Sequence, residues 1–306
     1  CRFDRCIAAG MNYSKVNKKR SSIEFIPDVE QSSSLDVEDP IQLTFLQRIE
    51  QEYNAAVARR KEKELLWLQD CTDFKLAPHP TKKIYMSSNT IFAKLSHISI
   101  EETRIFYERT FPTIVQLSHD EQEQLFKSFF LKFAITENLY RTRRIWGDFK
   151  QYLMVSVESC MDITNANSFV EEGQGGANRE ALVSSFDSLH EAQTEILIPA
   201  MLRAQITSSE FYAMLALVLC EIDCTGDLSD RALAVVDAIQ AEALNDLQKY
   251  YKEDMGLNDF STRLGNLTTL IHAVRECYTI IATTARMQRT LFDYCATDDV
   301  MAQFFT

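Results

Sequence analysis

Apolar residues recur at helical rather than strand spacing along most of this chain. From Ile41, the positions Leu43, Leu46, Ile49, Tyr53 and Val57 predict one long helix that crosses a charged stretch, Arg59 to Glu64, into Leu65-Leu66-Trp67-Leu68. Pro78 and Pro80 end it. Ser99-Ile100-Glu101-Glu102 reads as a capping box, so a second helix is expected to begin at Ser99 and carry Ile105, Phe106 and Phe111 inward. Asp120 to Arg144 holds Leu125, Phe126, Phe129, Phe130, Phe133 and Leu139, too broad an apolar face for a surface helix. Glu210 to Cys220 is apolar on almost every side and belongs in a middle layer. Ser229 is placed to cap a helix bearing Leu233, Val236, Ala243, Leu244 and Leu247, and Leu264 to Ile281 repeats the spacing in a last long helix. Only Tyr152 to Val157 suggests a strand. The expectation is an all-α fold in three layers.

Composition agrees, because 8 Gly and 6 Pro in 306 residues are few for the turns of a sandwich, barrel or dinucleotide-binding fold. A net charge of −12 excludes a nucleic-acid surface over the bulk of the chain. Eight scattered cysteines suit free thiols, and the longest apolar runs fall short of the ~20 residues of a membrane span. Residues 12–40 have the composition of a hinge: Lys15, Lys18, Lys19 and Arg20, then Ser-rich acidic sequence up to Asp39-Pro40.

Enzymatic motifs fail on inspection. Gly173-Gln174-Gly175-Gly176 lacks the Gly-Lys-Ser/Thr ending of a phosphate loop, and His190-Glu191 has Thr194 where a second zinc-binding histidine would stand. His119-Asp120 is the dyad that a metal-dependent all-α hydrolase would use, but it falls beside the capping-type Ser118 between two helices. Cys220 and Cys224 lie one turn apart without a second metal-binding pair. No catalytic residue is assigned.

Two stretches carry a resemblance. Cys1-Arg2-Phe3-Asp4-Arg5-Cys6, ending at Gly10-Met11, resembles the end of the second zinc module of nuclear hormone receptors. Tyr107-Glu108-Arg109, Phe111, Ile114 to Leu117, Asp120-Glu121-Gln122 and Leu125-Phe126-Lys127 are similar to the signature of the ligand-binding domain of that family. Ser209-Glu210, Leu215 to Leu219, Asp223, Gly226, Leu228-Ser229 and Arg263-Leu264 continue the likeness. The resemblance implies a DNA-binding tail at 1–11, with Cys1 as the last zinc ligand and its partners upstream, a hinge at 12–40 and a ligand-binding domain at 41–306.

It further implies a nuclear transcription factor, not an enzyme, that reaches DNA through its zinc-finger module and docks coregulator helices. Arg109 and Lys127 match the lysines that hold one end of such a helix, and Val300, Met301, Gln303, Phe304 and Phe305 match the terminal activation helix, with Gln303 where the family has Glu. Glu210 and Arg263 are expected to form a structural ion pair. Arg141, with Phe130, Ala134 and Asn138 one helical face away, is expected to anchor a lipophilic carboxylate, as in the fatty-acid-binding receptors that the nematode-type branch resembles. The rival for Arg141 is the solvated last turn of a helix. The helix from Arg263 to Ala285 is the expected surface for a homo- or heterodimer. The other readings are a ligand-independent helical dimerisation or coregulator module and the metal-dependent hydrolase.

Overall fold

The computed structural model describes residues 43–69, 75–147, 151–171, 174, 176–222, 228–292 and 304. The expected all-α class is what it shows. Helices are α1 (Phe45–Gln69), α2 (Asn89–Thr110), α3 (His119–Trp146), α4 (Arg179–Glu191), α5 (Ile198–Ala204), α6 (Ser208–Cys220), α7 (Asp230–Lys249) and α8 (Ser261–Phe292). Short strands β1 (Tyr85–Met86), β2 (Tyr152–Met154) and β3 (Ser159–Asp162) form one sheet in the order β1-β3-β2. β2 and β3 are antiparallel with Leu153 opposite Met161, and β1 runs parallel to β3.

α3 and α6 occupy the middle. α3 packs against α2, α6 and α8, while α6 also meets α1 and α7; α8 in turn holds α4 and α5. Phe211 to Leu219 are all buried, as a helix with neighbours on every side requires. Phe106, Phe126, Phe129, Phe130 and Phe133 form the aromatic centre of the main core. A smaller cluster of Phe169, Val170, Leu182 and Phe186 lies outside it, against Phe92 and Met161. No helix among the described residues is long and apolar enough to cross a membrane.

The capping expectations divide. Ser118 caps α3 and closes a full capping box with Glu121, and Ser229 Oγ accepts from the Ala232 amide at the start of α7. Ser99 caps nothing: α2 begins at Asn89, well before it. The Ser99 hydroxyl, inside the helix, accepts instead from Arg60 Nη1 at 3.2 Å. The true first turn is held by Glu171, which accepts from the Thr90 amide and hydroxyl and from the Ser88 hydroxyl. That partner is distant in sequence, so no local pattern announces it.

Candidate functional site

Between the main core and the smaller cluster lies a cavity of about 400 Å³, within the range of about 300–1,000 Å³ usual for small-molecule sites. α3 supplies one wall. Phe130, Ala134 and Asn138 are four apart, so they form a strip along one face of the helix, and all three line the cavity. The β2–β3 hairpin contributes Leu153, Val155, Met161 and Asp162, and α8 contributes Cys277, Ile281, Ala285 and Gln288. Phe186, Asp187, Leu189 and His190 come from α4. The helix then widens into a π-helical segment, Ala192–Leu197, which brings Gln193 and Leu197 to the wall.

Arg141 is the expected anchor that the structure places elsewhere. It is absent from the lining; its Nε and Nη2 both donate to Glu137 Oε1 at 3.0 Å. Glu137 is itself bound by both amino groups of Arg60 and by the Tyr53 hydroxyl at 3.0 Å. Burial would raise the Glu137 carboxyl, but Arg60 and Arg141 more than reverse this and hold it down to about 2. The guanidinium is therefore drawn back along α3 toward α1 by a buried carboxylate. Neither the carboxylate-anchor reading nor the solvated-turn rival describes it, since its side chain is 13% exposed.

His190 is the lining residue that sequence reasoning missed. Its Nδ1 is buried and has no hydrogen-bond partner among the described residues. Gln288 is also buried, with Nε2 donating to Ser185 Oγ at 2.7 Å. Asp162 accepts from the Thr164 amide and hydroxyl and from Gln151; burial works against its charge, and these bonds keep its carboxyl below the usual range. Helical periodicity marks His190 and Gln288 only as polar positions near helix ends, which gives no cavity signal.

A second set of residues faces outward. Arg109 stands in the last turn of α2, 59% exposed, with a 3.9 Å contact to Glu52. Lys127 follows on α3, and the short turn Ile114–Gln116 between the two helices leaves Val115 exposed. Phe304 is buried against this region, its ring 4.8 Å from that of Phe130 and 6.0 Å from that of Phe126. Val300, Met301, Gln303 and Phe305 lie outside the described residues, as do Cys1 and the segments 1–11 and 12–40.

The Glu210–Arg263 pair is present. Arg263 Nη2 donates to Glu210 Oε2 at 2.5 Å, the Tyr251 hydroxyl donates to Oε1 at 2.9 Å, and the Thr207 amide and hydroxyl also donate to Oε2. Burial pulls the Glu210 carboxyl up, and these donors, Arg263 first, hold it below its ordinary value. His119 and Asp120 are exposed in the first turn of α3. Among the described residues no three His, Cys, Asp or Glu are grouped to hold a metal ion.

Against known proteins, a family model described as "Ligand-binding domain of nuclear hormone receptor" matches residues 78–287. Nuclear hormone receptor family member nhr-53 of Caenorhabditis elegans is 20% identical over 285 residues, covering 90% of this chain and 70% of the relative. Nuclear hormone receptor family member nhr-199 of the same organism is 20% identical over 281 residues, covering 90% of this chain and 62% of the relative. A high zinc activated nuclear receptor protein, also of C. elegans, is 21% identical over 327 residues, covering 97% and 77%.

Proposed function

The chain belongs to the nuclear hormone receptor family, and from that premise we propose that its helical domain takes a lipophilic ligand in the α3 cavity and reports it to a coregulator helix. The observation that carries this reading is Phe130, which lines the cavity and also packs on Phe304. A ligand that touches Phe130 favours the state with Phe304 seated by whatever difference in contact energy it has between the seated and unseated states. The cavity also argues against the ligand-independent module, which would have its interior filled by side chains.

The coregulator would be an amphipathic helix of the Leu-x-x-Leu-Leu kind, its C-terminal carbonyls facing Arg109 and Lys127 and its apolar face covering Val115. At the other end Gln303 would offer a hydrogen bond where a glutamate would add charge. The charge-assisted part, on the order of 1 kcal/mol, is lost, so peptide capture rests more heavily on Lys127. The rest of the receptor reading is proposed with it: a zinc-finger module that includes Cys1 and contacts DNA, a hinge at 12–40, action in the nucleus, and pairing with a second receptor chain along Arg263 to Ala285.

Fluorescence anisotropy of a labelled Leu-x-x-Leu-Leu peptide tests the proposal. Lys127→Glu should weaken binding at least tenfold, the scale of one lost charge-assisted contact of about 1.5 kcal/mol or more, and Phe304→Ala should weaken it too while leaving the fold intact. Equal peptide affinity in wild type and Lys127→Glu would remove the groove.

A further inference from the structure

Resting on that reading of the cavity, we propose that its ligand is an uncharged lipophile bearing a hydroxyl or carbonyl met by His190, and not a carboxylic acid. The first ground is charge. No Lys or Arg side chain lines the cavity among the described residues, and Arg141, further along α3, is bound to Glu137. The acidic side chains at the wall are Asp162 and Asp187. A carboxylate entering here would lose its water and meet like charge with no Lys or Arg at the wall to offset either cost.

The second ground is the unpaired histidine nitrogen. His190 Nδ1 is buried at the cavity wall without a partner, and a desolvated polar atom left unpaired weakens the ligand-free state. An imidazole nitrogen can accept from a hydroxyl or, in the other tautomer, donate to a carbonyl, so one uncharged oxygen on the ligand satisfies it. The neighbouring amide of Gln288 is already turned to Ser185. Phe130, Leu131, Ala134, Ile135 and Leu197 give the wall an apolar stretch that suits a hydrocarbon body, while Ser96, Ser99, Asn138, Thr164 and Gln193 add scattered uncharged polar groups.

A matched pair of probes separates the two chemistries: oleyl alcohol and oleate differ only in the head group. With the full 306-residue chain, native mass spectrometry and competition against a lipophilic fluorophore should show the alcohol binding at least about tenfold tighter than oleate. His190→Phe should abolish that preference, and His190→Gln, which keeps a polar group at the site, should retain part of it. Circular dichroism checks that each variant is folded. Oleate binding as tightly as the alcohol, or a preference unchanged in a folded His190→Phe, would overturn the proposal while leaving the ligand-regulated reading intact. Ala134→Trp, which fills the cavity, tells the two failures apart. If neither probe binds wild type, or if both bind Ala134→Trp as well as wild type, the cavity reading itself falls.

Discussion

Glu137 is buried at the junction of α1 and α3 with two guanidinium groups and a phenol around it. Removing one partner of a buried ion pair strands the others without water, so Glu137→Ala is expected to cost about 3–5 kcal/mol, read as a lower urea midpoint. Arg141→Met should cost less and leave ligand preference unchanged, because Arg60 still balances Glu137 and Arg141 does not reach the cavity. The carboxyl of Glu137 is held at about 2, below the ordinary value of about 4.3 for an unfolded chain. Its contribution is therefore complete above the unfolded value and lost as pH falls from about 5 toward 2. Glu64, buried and bonded to Ser156 and the amides of Val157 and Glu158, has its carboxyl raised by burial and works in the opposite sense, losing its contribution as pH rises. Acid unfolding followed by circular dichroism should become less steep in Glu137→Gln.

At the scale of elements, one carboxylate ties two helix starts together. Glu121 Oε2 accepts from the Ser118 amide and hydroxyl, and Oε1 accepts from the Ser229 amide and hydroxyl. These four donors, the Ser118 hydroxyl first, hold its carboxyl down to about 2. Ser118→Ala removes half of the capping box and is expected to destabilise the protein by about 1 kcal/mol, measured as a shift of the denaturant midpoint with unchanged slope. Ser118 was legible as a cap because it directly precedes the apolar run of α3, whereas its box with Glu121 came from the structure. The same letters at Ser99 misled, because α2 takes its first-turn partner from Glu171 and simply runs through the apparent cap.

Across the whole molecule, Glu210 joins α6 to α8 through Arg263 and to the π-helical end of α7 through Tyr251. Glu210→Ala should therefore loosen three elements at once, with a loss of about 3 kcal/mol and a lower melting temperature by calorimetry. The pair was legible in the sequence only through family resemblance. Phe130, Ala134 and Asn138 share one face of α3 and line the cavity, and Arg109 and Lys127 stand on α2 and α3, positions that follow from the periodicity of the two helices.

The chain's periodicity and caps determined its helices, its enclosed middle helix and the face of α3 that turns inward, because each of these depends on residues within a few turns of one another. The helix that begins at Asn89, the diversion of Arg141 to Glu137 and the exposure of His190 to a cavity were decided by tertiary structure. Each depends on a partner tens of residues away: Glu171 for the first turn of α2, Arg60 and Tyr53 for the carboxylate that captures Arg141, and α3 with α8 for the walls that His190 faces. Local spacing specifies which face a side chain occupies, whereas the groups it meets on that face are set only when the layers close.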